Sequence, residues 1–293
     1  MSASIHAFAR SIAERLTAIE GVIAVSLGGS WARGTADANS DVDLGIYYDS
    51  DHRPSLTALN ALAVELDDRH GAAGDVITPY GEWGQWIDGG GWLTINGRRV
   101  DWLYRNMARV THFVDECAAG RPAIHYQAGH PFGFNTAIYI GEVFYTIPLV
   151  DPHGALAALK AKTTPYPPPL KQAMIRAMWE ARFSLDTAQK SAGRGDVYHV
   201  TGSIFRAVSV MTQTLFALNE RYWINEKKAV AMTAEFSRVP PDYAQRIGAI
   251  LGTLGESAPQ LEAALTECLA LVTHVEALCA DSANDPIWKA PPL

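Results

Sequence analysis

The chain has 293 residues, of which 48% are hydrophobic, and a formal net charge of −7. This length and composition allow one large or two modest domains with a sizeable core. Lysines and arginines form no run, so the sequence lacks the basic patch of a protein that tracks a nucleic-acid backbone. We expect no membrane-spanning segment, because no apolar run approaches the length of a bilayer. Three cysteines without metal-ligand spacing fit a reducing cytoplasm.

The first elements in chain order are a helix over residues 4–20 and a strand over residues 22–27, which leads into Gly28-Gly29-Ser30. Glycines after a strand allow a tight turn and a close approach of the backbone to a ligand. Ser30 is the predicted N-cap of a short helix over residues 31–36, whose free N–H groups suit a phosphate. The segment therefore predicts a loop that binds a triphosphate.

A pair of acids opens the next predicted strand. Asp41 and Asp43 are two residues apart, so in a strand they point to the same face, while Val42 points into the core. Two carboxylates this close repel each other unless a cation lies between them. Mg²⁺ prefers hard oxygen ligands and keeps positions open for phosphate. The spacing therefore predicts a magnesium site beside the triphosphate loop.

A third acid lies in a predicted hairpin, after a helix over residues 55–69. The turn dipeptide Asn96-Gly97 joins strands over residues 91–95 and 98–104. Asp101 is the only carboxylate of this hairpin, and strands disfavour aspartate. We interpret Asp101 as a metal ligand or a base; the alternative is an edge-strand acid that faces water.

These motifs together resemble a known superfamily. The order G-G-S-x-x-R-G followed by S-D-x-D-L is similar to the nucleotidyltransferases that include DNA polymerase beta, poly(A) polymerases and the aminoglycoside nucleotidyltransferases. The resemblance implies transfer of a nucleoside monophosphate from a nucleoside triphosphate to a hydroxyl, with two Mg²⁺ ions and three carboxylates. We expect ATP as the donor and AMP as the transferred group.

The resemblance also implies roles for individual residues. Asp41 and Asp43 correspond to the ligands that both metals share. Asp101 corresponds to the third ligand, which also serves as a base toward the acceptor hydroxyl. The predicted phosphate-binding residues are Gly28, Gly29, Ser30 and Arg33. Arg33 is alternatively an ordinary arginine on a helix surface.

The predicted fold is α+β: a small mixed-sheet nucleotidyltransferase domain over residues 1–110, a bridging segment with strands over residues 111–165, and a C-terminal α-helical bundle over residues 166–293. A stiff polyproline linker is predicted over residues 164–169. Apolar residues then recur at helical spacing. The predicted bundle helices cover residues 170–191, 196–221, 241–254 and 258–279.

Four further residues are candidates for ligand contacts. Glu142, in the apolar run of the bridge, either contacts the acceptor or is a paired structural glutamate. Glu180 lies in the first bundle helix, where it is a candidate for a cationic acceptor. Arg206 belongs to a polar stripe that either faces solvent or contacts the nucleotide. Lys227, with Lys228 as the alternative, lies in a segment similar to one that reaches the triphosphate in aminoglycoside adenylyltransferases.

We therefore predict a cytoplasmic transferase that acts on a small hydroxylated molecule, such as an aminoglycoside-like antibiotic. The acidic net charge favours a cationic acceptor over nucleic acid. Two other functions stay open: a protein adenylyltransferase of the toxin–antitoxin type, and a module that binds nucleotides without catalysis. The sequence leaves the oligomeric state open.

Overall fold

The computed structural model describes residues 2–71, 74 and 76–280. The chain divides into two compact units. The first unit comprises Met1–Ala118, Ala123–Gly129 and Gly133–Pro165, and the second comprises Ala119–Pro122, His130–Phe132 and Tyr166–Leu293. Residues 281–293 of the predicted bundle domain lie outside the described residues. The three-part division with a separate bridge over residues 111–165 stays a prediction.

A mixed sheet forms the centre of the first unit. Its strands, in chain order, are β1 (Val22–Leu27), β2 (Val42–Tyr48), β3 (Gly90–Ile95), β4 (Arg98–Asn106) and β7 (Ile147–Val150). Their spatial order is β3-β4-β2-β1-β7, in which β2 and β4 are parallel and the other neighbours are antiparallel. A separate small sheet pairs β5 (Ile124–His125) with β6 (Phe134–Asn135). The predicted mixed sheet and the α+β class are confirmed.

Helices cover the sheet of the first unit. They are α1 (Ser2–Thr17), α2 (Gly29–Arg33), α3 (Leu56–Leu66), α4 (Met107–Ala118), α5 (Ala137–Tyr145) and α6 (Ala155–Ala161). Residues of α1 and α3 pack with Leu44, Ile46 and Trp102 of the sheet in one apolar core. Because side chains alternate along a strand, the residues between these positions point to the opposite face. That opposite face carries Asp43 and Asp101, whereas Asp41 lies one residue before β2 and not in the strand where the sequence had predicted it.

The second unit is helical in its described part. Its helices are α7 (Pro168–Arg176), α8 (Trp179–Ala192), α9 (Val197–Leu218), α10 (Ala229–Met232), a short 3₁₀ helix (Thr233–Glu235), α11 (Tyr243–Gly252) and α12 (Ala258–Ala280). Apolar residues of α8, α9, α11 and α12 form its core. The expected class of this region, a set of helices after the sheet, is confirmed.

One helix prediction and the linker prediction for this unit are wrong in detail. The single helix predicted over residues 170–191 is interrupted, because Met178 donates to Ile175 and Glu180 to Ala177, which tightens the chain into a turn of 3₁₀ type between α7 and α8. The polyproline linker is also shorter than predicted, since Pro168 already begins α7. Proline is tolerated there because the first helical N–H has no partner inside the helix.

The expectation that no apolar segment matches a bilayer in length is wrong for α12. Among the described helices, this one of 23 residues is long and apolar enough, by length and composition, to cross a membrane. Core helices of globular proteins pass the same test, and Leu261, Leu265, Leu271 and Val275 of α12 are buried in the core of the second unit. The fold is that of a globular protein with one such helix, and the cytoplasmic location stays a prediction.

Candidate active site

Two carboxylates lie side by side on the first unit's sheet. Asp43 of β2 pairs in register with Asp101 of β4, and the two strands are parallel. Residues paired in this way point to the same face, on strands about 4.8 Å apart. Both acids are partly exposed, whereas Val100 and Trp102, which flank Asp101, are buried. The sheet register therefore brings together two acids that lie far apart in the sequence.

The glycine loop after β1 touches the first of these acids. The Gly28 N–H donates to the carbonyl of Asp43 at 2.8 Å. Gly29 has a φ of +58°, and a Cβ there would lie 1.8 Å from Oδ2 of Asp43. Any side chain at position 29 would thus collide with the carboxylate. The backbone of the loop approaches Asp43 closely, and the binding of a triphosphate by Gly28, Gly29 and Ser30 stays a prediction.

The short helix α2 starts earlier than the sequence predicted. The Ala32 N–H donates to the carbonyl of Gly28, which makes Gly28 the N-cap, without a capping side chain. Ser30 lies inside the helix, so its predicted N-cap role is wrong. The helix ends early as well, because Gly34 adopts the left-handed conformation with φ +74°. Arg33 in the last turn donates its Nε–H to the carbonyl of Gly29 at 3.3 Å.

Asp41 has a cationic partner that sequence reasoning missed. Nε of Arg99 lies 2.5 Å from Oδ1 of Asp41, and Nη2 of Arg99 donates to the carbonyl of Asn39 at 2.7 Å. Arg99 precedes Asp101 by two residues, so alternation along β4 places both side chains on the same face. That alternation was visible in the sequence, but the link to Asp41 depends on how the loop before β2 folds.

The three predicted metal ligands are not gathered into one ligand cluster. Among residues 2–71, 74 and 76–280, no group of three or more His, Cys, Asp or Glu side chains has a metal-binding arrangement. Asp43 and Asp101 are neighbours in register, and Asp41 is turned to Arg99. A three-carboxylate site would therefore require Asp41 to leave Arg99.

The electrostatics at Asp43 favour a cation. Burial raises the pKa of Asp43 to about 6, and the nearby charges of Asp41 and Glu142 add to this shift, while Arg105 and Arg33 oppose it. A carboxylate that is penalised by burial and by like charges would be stabilised in its ionised form by a bound cation. The oxygen donors of Asp43 and Asp101 are of the kind that Mg²⁺ prefers. These two residues fit a magnesium ion.

Glu142 lies at the covered end of the same face. Its Oε1 is 3.1 Å from Nη2 of Arg105, which follows Asp101 on the same side of β4. The Arg105 side chain is mostly buried, whereas that of Glu142 is 34% exposed. The pairing of Glu142 is shown, and its contact with an acceptor stays a prediction.

The other predicted contact residues lie in the second unit. Arg206 forms an ion pair with Glu180, and its guanidinium carbon lies 5.1 Å from the ring centroid of Phe132. Both members of the ion pair line a groove of about 1110 Å³ between α8 and α9. Lys227 lies just before α10, where its N–H donates to Oδ1 of Asn225 at 3.0 Å. The proposed roles of these residues toward the nucleotide or acceptor stay predictions.

Comparisons with known proteins match parts of the chain. Residues 9–84 match the family model described as a nucleotidyltransferase domain, which spans the glycine loop and the Asp41–Asp43 pair but not Asp101. Residues 137–228 match a domain of unknown function, DUF4037. No curated protein matches the chain. A nucleotidyltransferase-like protein from Exiguobacterium sibiricum 255-15 is 10% identical, with a TM-score of 0.45 over 91% of this chain and 76% of that one.

Proposed function

We propose that this chain, which carries a nucleotidyltransferase domain, moves a nucleoside monophosphate from a triphosphate, with ATP as the expected donor, to a hydroxyl of a small molecule. One observation carries the proposal: Asp43 and Asp101 lie in register beside a glycine loop that approaches the Asp43 carboxylate. An acid pair on a sheet next to a close-approach loop suits a phosphoryl group bound through magnesium.

The three acids have different roles in the proposed metal site. Asp43 and Asp101 would hold a metal from neighbouring strands. Asp41 would complete the set if its carboxylate left Arg99. Two bound magnesium ions would supply charge stabilisation of the attacking and leaving oxygens of an in-line displacement.

The chain's own residues position the reactants. In the transfer, the acceptor oxygen forms a bond to the α-phosphorus, the bond to the leaving pyrophosphate breaks, and Asp101 receives the hydroxyl proton. Gly28, Gly29 and Ser30 bind the β- and γ-phosphates from the side of β1, and Arg33 adds a positive charge. Arg33 lies close enough to Asp43 for its positive charge to oppose the rise in the pKa of that acid, which supports this role.

Four further residues carry proposed roles that come from the sequence. Arg206 and Lys227 of the second unit contribute to nucleotide binding, and Glu180 of the second unit and Glu142 of the first unit contribute to acceptor binding. An acceptor of the aminoglycoside type remains our prediction from the sequence, together with the acidic net charge of −7.

The direct test is a transfer assay. The purified chain is incubated with MgCl₂, ATP labelled at the α-phosphate, and a panel of hydroxylated small molecules that includes aminoglycosides. We expect the label to move to one class of small acceptor, with release of unlabelled pyrophosphate. Label on a protein instead would favour protein adenylylation. Binding of ATP without transfer to any acceptor would favour a non-catalytic module.

A further inference from the structure

An exposed tryptophan lies next to the carboxylate pair. Trp92 of β3 pairs in register with Asp101 of β4, and these strands are antiparallel. Directly opposite residues of an antiparallel pair point to the same face, with Cβ atoms about 5 Å apart. Trp92 is nevertheless 61% exposed. Across the sheet, one row therefore runs from Gly28 through Asp43 and Asp101 to Trp92.

Trp92 is held by a second tryptophan. The rings of Trp92 and Trp83 stack with centroids 4.5 Å apart and an interplanar angle of 23°. Nε2 of Gln127 donates to the carbonyl of Trp83 at 2.6 Å. A Cβ at Gly90 would lie 3.2 Å from the Trp83 ring, so the absence of a side chain there lets this ring pack close to the strand. The pair is thus ordered without a ligand, which lowers the entropic cost of binding one.

A nearby tryptophan on the same loop behaves differently. Trp86 is 9% exposed and stacks on His125 at 4.0 Å and on Phe134 at 5.7 Å. It fills the core of the first unit, as a loop tryptophan ordinarily does. Core packing therefore accounts for Trp86 but leaves the exposed face of Trp92 beside Asp101 without a structural role.

We propose that the stacked pair of Trp92 and Trp83, here called the indole platform, binds the ring of the acceptor. This inference rests on the proposed transfer function and names its acceptor class: a molecule whose reacting hydroxyl lies on, or next to, a sugar or aromatic ring. Indole faces bind such rings by stacking.

The order of the row assigns the platform to the acceptor. The phosphate loop at Gly28 and the platform lie on opposite sides of the two acids, three strand spacings or about 14 Å apart. Asp101, which receives the hydroxyl proton in the proposed reaction, is the acid next to Trp92. A ring stacked on Trp92 would place a hydroxyl over Asp101, whereas the triphosphate lies beyond Asp43.

The test compares Trp92→Ala with two other variants. Trp92→Phe keeps an aromatic face, and Tyr126→Ala removes a side chain that is 91% exposed and outside the row. Binding of three ring-bearing probes, streptomycin, uridine and N-acetyltyrosinamide, is measured by calorimetry with Mg²⁺ and a triphosphate analogue whose α,β-bridge is a methylene. Binding of the triphosphate analogue itself is measured in parallel.

We expect at least one probe to bind the wild type, and Trp92→Ala to weaken it about tenfold or more, the range of a stacking contact. Trp92→Phe should recover most of this loss, and Tyr126→Ala should show none. Binding of the triphosphate analogue should stay within about twofold in all variants. The platform proposal fails if no probe binds the wild type or if Trp92→Ala binds the probes as tightly as the wild type does. It also fails if Trp92→Ala loses binding of the triphosphate analogue and not of the probes. If the wild type itself does not bind the triphosphate analogue, the proposed function is refuted as well.

Discussion

The two units treat their charged side chains differently. In the second unit, opposite charges satisfy each other: Arg182 makes two contacts with the carboxylate of Glu276, at 2.9 and 2.5 Å, and Arg206 pairs with Glu180. On the sheet face of the first unit, Asp41 and Glu142 also have arginine partners, but Asp43 lies near both of these like charges. Burial raises the pKa of Asp43 to about 6, and the negative charges of Asp41 and Glu142 add to this shift.

The difference shows where an acid is destabilised in its charged form. A charge beside an opposite charge is balanced where it lies, and exposed pairs of this kind contribute little to stability. An acid that is penalised where it lies lowers the stability of the fold, and such perturbed groups concentrate at functional sites. The sheet face of the first unit therefore is the part of the molecule where we place the chemistry.

The largest expected effect comes from removing the paired acids. Asp43→Asn or Asp101→Asn should lower nucleotidyl transfer by several orders of magnitude, because each removes a metal ligand and the second also removes the base. The assay is transfer of labelled AMP. Asp115→Asn, which changes an exposed acid of α4 paired with Lys162, is the control and should keep full activity. Near-full activity of Asp101→Asn would show that our assignment of the third acid is wrong.

The glycine loop offers the next largest effect. Gly29→Ala should weaken binding of ATP with magnesium by at least about tenfold, because the added Cβ lies 1.8 Å from Oδ2 of Asp43. Gly34→Ala is the matched control: its φ of +74° is equally left-handed, but nothing lies within 4 Å of the added Cβ. Gly34→Ala should cost only the conformational strain of a left-handed residue, about 1 to 2 kcal/mol. Calorimetry and urea unfolding measure the two effects. Equal nucleotide binding by both variants would contradict the close approach.

The raised pKa of Asp43 predicts a pH dependence of stability. Because the pKa in the metal-free fold is about 6 and the ordinary value is 3.8, the folded state holds its proton longer than the unfolded state. The contribution of Asp43 to the free energy of unfolding therefore falls as pH rises from about 4 to 6 and stays low above. Asp43→Asn should stabilise the metal-free protein at pH 7.5 by about 1 to 3 kcal/mol.

The same substitution should bring little gain at pH 4, where the acid is protonated in the folded state. Urea unfolding of the wild type and of Asp43→Asn at the two pH values, with a chelator present, measures this difference. If Asp43→Asn raises the free energy of unfolding equally at both pH values, the charge of Asp43 is not the cause of the stabilisation.

The smallest expected effect concerns Arg99. Arg99→Gln should strengthen binding of Mn²⁺, as a spectroscopic substitute for magnesium, by about two- to fivefold, the range of an exposed ion pair that no longer competes for Asp41. Arg98→Gln removes an equal charge one residue away, on an exposed side chain of the opposite strand face, and should change the affinity less. Electron paramagnetic resonance of free Mn²⁺ gives both constants. Weaker binding by Arg99→Gln would indicate that Arg99 supports the metal site instead of blocking it.

Local patterns predicted the sheet well. The apolar run of residues 22–27 and the dipeptide Asn96-Gly97 are short-range signals, and the hairpin turn has left-handed φ values of 52° and 71°. Alternation alone also predicts that Arg99, Asp101 and Leu103 lie on one face of the strand. Short-range sequence patterns were therefore sufficient to predict the strands and the turn that position the site.

Contacts between distant segments could not be predicted in the same way. The Arg99–Asp41 pair joins strand β4 to the loop before β2, and the stacking of Trp92 on Trp83 depends on the path of the loop before β3. The interruption at Met178 could not be predicted, because no proline or glycine lies there as a local signal of a helix end.

The most direct test of the central claim, that the acid pair and the glycine loop form a magnesium–triphosphate site, is calorimetry. Each of the four nucleoside triphosphates is titrated with and without Mg²⁺ into the wild type, the double variant Asp41→Asn/Asp43→Asn and the control Asp115→Asn. The account predicts magnesium-dependent binding of at least one triphosphate, ATP foremost, by the wild type and the control, and its loss in the double variant. Equal affinity of the double variant, or no triphosphate binding by the wild type, would contradict it.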